Sequence, residues 1–175
     1  MTKTERLRRV VIVCGYFTRN LAYYRAAWQD KTLRGATHHF WRHVNSNFFD
    51  IAVLEWCKLL GDKKDPHHWS KVVSNPTTFE KNLLSHLGIS ASAFKNYIDG
   101  MRHYRDKFIA HLDSEPVMNI PNFKPGKAAV DFYHAHIVTK EIADLHELAG
   151  LVTKLDDCYR EAMQEAKSVY NFNQL

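Results

Sequence analysis

The stretch LRRVVIVCGYFTRNLAYYRAAW, residues 7–28, can be read in two ways, and the choice between them sets the fold class. A basic start followed by Val10-Val11-Ile12-Val13-Cys14-Gly15-Tyr16-Phe17 has the look of a signal peptide, yet Arg19 stands where a small-residue cleavage site belongs. The apolar run is also far too short to cross a bilayer, which needs about 20 residues. Leu7, Val10, Val11, Cys14, Phe17, Leu21, Tyr24 and Trp28 recur at steps of three and four, the spacing of one face of an α-helix. The stretch therefore predicts a long amphipathic helix.

The same period continues downstream. Phe40, Val44, Phe48, Ile51 and Leu54 or Glu55 mark a second helix over about 36–60, stopped at Gly61. Polar residues 62–68 and 74–76 bracket a short helical piece at 69–73, in which Trp69 packs on the bundle behind a decorated His67-His68 loop. Residues 77–87 form a short helix ending at Gly88, and Ser90 or Ser92 caps the next one, because a hydroxyl accepts from amides left free in a first turn. That helix runs toward Pro116. From there to about Ala129, Pro121, Pro125 and Gly126 predict a long loop, and 131–138 reads as a short strand or irregular. A final helix is expected from Thr139, with Glu141 and Asp144 at its N-terminus and a stripe of Ile142, Leu145, Ala149, Val152, Leu155, Tyr159, Met163 and Ala166.

Such stripes predict an all-α, up-and-down bundle of four to five main helices with short helical inserts. The length, 175 residues, suits one domain spanning 1–175, with no internal repeat. With 45% hydrophobic and 25% charged residues, seven Gly and five Pro, the composition excludes a disordered chain. The net charge of +5 favours polyanionic partners without requiring one, and Lys3, Arg6, Arg8 and Arg9 read as a solvated first turn. Cys14, Cys57 and Cys158 are isolated, without disulfide or zinc spacing, which fits a reducing, cytoplasmic location.

The chemistry concentrates in HYRDKFIAHLDSEP, residues 103–116. On a regular helix Phe94, Ile98, Met101, Phe108 and Leu112 share an apolar stripe, and Arg105 lies within it. A guanidinium cannot be neutralised there, so it needs a carboxylate such as Glu55 or Asp50, a place at the bundle edge, or a polar cavity. His111 stands about 120° away on the helix, so the two meet at one substrate only if the last turn loosens, the long Arg reaches round, or a second protomer supplies one of them.

Arg105-Asp106-Lys107-Phe108-Ile109-Ala110-His111 resembles the RxxxxxH-type signature of the HEPN superfamily. The string RDKFIAHLD is most similar to the branch associated with phage abortive-infection systems. The resemblance implies a small helical bundle, commonly a homodimer in which two motifs share a cleft. Many members are metal-independent endoribonucleases, and others are non-catalytic binding or dimerisation modules. It further implies Arg105 and His111 as catalytic residues. His111 suits proton transfer near neutrality, and Arg105 suits the charge that builds on phosphate when a ribose 2′-hydroxyl attacks. Asp106 either orients one of them or pairs with Arg102. Arg102, His103 and Lys107 attract a phosphodiester backbone, and Tyr97 or Tyr104 stacks an unpaired base. The expected partners are RNA, a second copy of the chain and an antitoxin, with no membrane and no cofactor. His39 and His43, or His134 and His136, have two-ligand metal spacing without a third ligand in sequence, so no metal site is expected.

Overall fold

The computed structural model describes residues 1–29, 39–110, 119–142 and 145–171, and within them the chain is all-helical. Seven α-helices appear among the described residues. They are α1 (Lys3–Gln29), α2 (His39–Trp56), α3 (Trp69–Val72), α4 (Pro76–Leu87), α5 (Ala91–Tyr104), α6 (Phe123–His136) and α7 (Leu155–Asn171). Wide π-type turns extend α2 over Cys57–Gly61, α5 over Arg105–Ala110 and α6 over Ile137–Glu141.

Helix α1 is the axis of the bundle, packed most heavily on α7 and α2 and also on α6. Its predicted face is covered, with Leu7, Val10, Val11, Cys14, Phe17 and Leu21 buried, while Trp28 at the far end is half exposed. A second face carries Ala22, Ala26 and Ala27, which meet Ala162, Met163, Ala166 and Tyr170 of α7 in a separate small cluster. Small side chains let the two backbones lie close, and burial on two sides makes α1 central.

The predicted stripe of α2 is out by one position. Phe49, Ala52, Val53 and Trp56 are buried, whereas Phe40 is 67% and Ile51 38% exposed. The helix is apolar on more than one side, so periodicity alone could not choose. Aromatic packing chose Phe49, whose ring meets Tyr24 at 4.8 Å, Phe123 at 5.0 Å and Tyr104 at 5.3 Å. At its end the Asp62 N–H donates to the Cys57 carbonyl at 2.7 Å, an i→i+5 bond. The chain leaves the helix at Asp62, in an extended conformation, and Gly61 before it lets neighbours pack close, since a Cβ there would lie 3.3 Å from the Trp56 ring and 3.6 Å from Arg102 Cγ.

Helices α4 and α5 form where the sequence indicates. Asn75 Oδ1 accepts from the Thr78 N–H and Gly88 adopts φ 64, the left-handed stop. Ser90 Oγ accepts from the Ala93 N–H as the cap of α5. Trp69 is buried against the bundle as expected, stacked on Phe79, but His68 is no loop decoration, being 1% exposed and capping α3 through Nδ1.

Two expectations fail in the C-terminal third. Residues predicted as loop and possible strand form α6, with Phe123, Gly126, Val130, Tyr133 and Ile137 buried at helical spacing. Pro125 sits in the first turn, where an amide has no intrahelical acceptor to lose, and Asn122 Oδ1 caps the Lys124 N–H. The final helix begins at Leu155 rather than Thr139, with Asp156 and Asp157 in its first turn in place of the predicted acids. Glu141 instead ends the previous turn and accepts from the Ser74 N–H and Oγ at 2.8 and 2.6 Å, while Asp144 lies outside the described residues.

Candidate functional site

Helix α5 presents the motif from a packed base. Phe94, Met101 and Tyr104 are buried, and Ile98 and Phe108 pack against the core at its edge. The helix is pinned from the other side by Tyr97, whose hydroxyl donates to the Asn122 carbonyl at 2.8 Å and whose ring meets Trp56 edge-on at 5.4 Å. Trp56 in turn donates Nε1–H to the Gly126 carbonyl at 3.2 Å. Three elements, α2, α5 and α6, are thereby fixed to one another directly below the motif.

At Arg105 the regular helix gives way to the wide turn. His111 itself lies outside the described residues, as do Leu112 and Asp113.

Arg105 is 19% exposed and is held by carboxylates other than the two expected. Its Nε donates to Asp106 Oδ1 at 2.7 Å, and one terminal nitrogen stands 3.9 Å from Asp62 Oδ2. Of the expected partners, Asp50 accepts from the Tyr104 hydroxyl at 3.0 Å and Glu55 from Lys58 at 2.9 Å. The hydrogen bond it donates to Asp106 raises the Arg105 pKa further, so the guanidinium stays charged at any working pH. Asp106, left open between two roles, pairs with Arg105. That contact fixes the plane of the guanidinium and leaves the terminal nitrogens, one of them facing Asp62, as its remaining donors.

The four side chains expected to bind substrate divide. Arg102 and His103 are exposed on the same stretch, with the His103 ring 6.4 Å from Phe108, and Lys107 is half-buried beside them. Tyr104 is 5% exposed, its ring packed against Phe49 and Phe108 and its hydroxyl on Asp50, so neither of its faces is presented to a base. Burial and the Asp50 carboxylate hold its hydroxyl protonated. Tyr97 is likewise engaged by Trp56 and Asn122.

Asp62 is the contact that sequence reading missed. It is 43 positions from Arg105 and sits in a polar connection, with no local pattern to distinguish it from Asp65. Cys57, behind the pair, is buried, and burial pushes its thiol up to about 12 against the opposing pull of Arg105. It is no nucleophile there.

The histidines with metal-like spacing are committed elsewhere or open to solvent. His134 Nε2 meets the Val152 carbonyl at 2.9 Å, His136 pairs with Glu141 at 3.3 Å, and His39 and His43 are exposed. Among the described residues no three His, Cys, Asp or Glu side chains gather as metal ligands, and no helix is long and apolar enough to cross a membrane. Compared with known proteins, the chain matches no family model, no curated protein and no solved structure.

Proposed function

We propose that the chain is a HEPN-like, metal-independent endoribonuclease of a toxin or phage-defence system, working in the cytoplasm as a homodimer. The observation that supports this most is the Arg105–Asp106 contact. The motif's arginine is pre-positioned by its neighbour at the edge of the bundle, with the wide turn carrying the chain on toward His111. In this reading His111 removes a proton from the ribose 2′-hydroxyl or returns one to the leaving oxygen. Arg105 bears the charge that accumulates on the phosphate, and Asp106 orients Arg105. Arg102, His103 and Lys107 draw in the backbone, and an antitoxin would cover this face.

The purified chain incubated with structured RNA and a chelator is expected to leave cyclic phosphate ends. Arg105→Ala and His111→Ala are each expected to lower cleavage by about 100-fold or more, the scale on which positioned acids, bases and charges contribute. Undiminished cleavage by correctly folded His111→Ala would refute the assignment.

A second reading, a non-catalytic module that dimerises or binds RNA or a nucleotide, draws on the same ion pairs. An arginine already paired with Asp106 and near Asp62 also suits a purely structural role. No cleavage by the parent, together with a marked drop in melting temperature for Arg105→Ala, would favour it.

A further inference from the structure

Next to Arg105, between α5 and the 61–68 connection, the surface sinks into a groove of about 530 Å³. That volume lies within the range of small-ligand sites, about 300–1,000 Å³. Its apolar floor is Ile98, at the edge of the core, backed by Trp69 and Phe94, which line the groove while themselves only 7% and 4% exposed. Stacking of Trp69 on Phe79, and the fixing of His68 by Ser70 and the Leu60 carbonyl, make that floor rigid. The groove is therefore pre-formed, which lowers the ordering cost of a ligand.

The rim is ionic and unevenly matched. Lys95 is paired with Asp99 at 2.9 Å, and Asp62 faces Arg105. Lys63, Lys64 and Arg102 make no ion pair among the described residues, and one exposed carboxylate, Glu80, stands opposite them. His68 adds no charge, because burial lowers its pKa to about 4. A fitting occupant has a flat apolar body for the floor, an anionic group for the three cations and N–H donors for Glu80. A nucleotide with an amino-bearing base combines all three.

The groove also connects to the motif. Arg102 is on its rim one turn before Arg105, and Asp62 both lines it and lies 3.9 Å from the Arg105 guanidinium. We infer that this groove is a nucleotide subsite, receiving one unpaired nucleotide of an RNA strand whose neighbouring phosphate lies at Arg105. The inference rests on the endoribonuclease reading for the polymer, though not for the binding of a nucleotide. It supplies an unpaired-base site where Tyr104 and Tyr97 are already occupied.

The test uses fluorescence polarisation of a labelled four-nucleotide RNA carrying 2′-fluoro sugars, which cannot be cleaved, with nucleoside monophosphates as competitors. Ala91→Trp places a bulky neutral side chain at the groove mouth on an exposed first-turn position, and Lys63→Ala/Lys64→Ala removes two rim cations. Each is expected to weaken RNA binding by about 10-fold or more, with melting temperature unchanged, as loss of one base platform or of phosphate contacts does. Arg105→Ala is expected to weaken it by about 3-fold or less. Because Ala91→Trp changes no charge, its loss separates a shaped subsite from general attraction by a basic surface. Equal binding by Ala91→Trp and the parent, or no binding of RNA or monophosphates by the parent, would overturn the subsite. Groove-dependent binding in a parent that cleaves nothing would sink the nuclease reading alone, and cleavage untouched by Ala91→Trp would sink the subsite alone.

Discussion

Replacing Gly126 by alanine is expected to destabilise the protein, although the same change within a helix ordinarily stabilises it. An alanine Cβ at 126 would lie 2.5 Å from the Tyr97 hydroxyl oxygen and 3.2 Å from both Phe123 Cδ1 and Trp56 Nε1. Comfortable contact begins at about 3.5 Å, so the hydroxyl must retreat by about 1 Å. It has little freedom to do so, being bonded to the Asn122 carbonyl at 2.8 Å on a ring set against Trp56. Overpacking of this kind costs about 1–3 kcal/mol, and a strained or lost hydrogen bond adds about 1 kcal/mol. The better helix propensity of alanine offsets about 1 kcal/mol, leaving a net loss of about 2 kcal/mol. For a chain of this length that lowers the melting temperature by about 4–8 °C. Gly100, on the exposed side of α5 with nothing within 4 Å of its Cβ position, is the internal control, and Gly100→Ala is expected to gain about 0.5–1 kcal/mol. Thermal and urea melts of both variants measure the contrast. Combining Gly126→Ala with Tyr97→Phe is expected to recover part of the loss, giving a coupling of about 0.5 kcal/mol or more. If Gly126→Ala proves as stable as the parent, Tyr97 does not lie against Gly126 and the clamp beneath the motif is wrong.

Two further expectations come from buried polar groups. His68 is neutral in the fold, because burial depresses its pKa to about 4, and His134 is shifted the same way. The unfolded chain binds protons on these histidines below about pH 6.5 while the native one does not, so stability is full above that value and is lost toward about pH 4. Urea midpoints are expected to fall between about pH 7 and pH 5, less so in His68→Asn, which keeps a capping oxygen; a flat profile in the parent would contradict this. Asn45 is fully buried and, among the described residues, neither of its amide atoms is hydrogen-bonded, so Asn45→Leu is expected to raise stability by about 1 kcal/mol or more, and a loss instead would mean that the amide has a partner.

The sequence made visible those elements whose signals act locally. Steps of three and four in α1, the left-handed Gly88 and the Ser90 cap each depend on a few adjacent residues, and each is found in place. It failed where a residue type serves opposite purposes. Pro125 and Gly126 are loop punctuation in most contexts, but here the proline occupies a first turn and the glycine makes room for Tyr97 and Trp56. The helical spacing of Phe123, Gly126, Val130, Tyr133 and Ile137 was present but includes a glycine as a buried position, which no hydrophobic pattern scores. In α2, two apolar faces were available and only the aromatic neighbours from α1, α5 and α6 decided between them.

The motif itself shows the same division between local and distant causes. Its Arg-Asp pair is adjacent in sequence and adjacent in space, so the positioning of Arg105 was within reach of sequence reading. Asp62 was not, and it alters the electrostatics. With Nε committed to Asp106, a phosphate approaching Arg105 must use the terminal nitrogens, and there the competing group is Asp62 at 3.9 Å and 40% side-chain exposure. That separation is too long for a strong charge-assisted bond, and solvent screens it, so displacing Asp62 costs little compared with breaking the 2.7 Å contact. The guanidinium is thus held firmly at one edge and loosely at the other. In the proposed reaction this is the arrangement required of a residue that must keep its orientation while exchanging one anion for another.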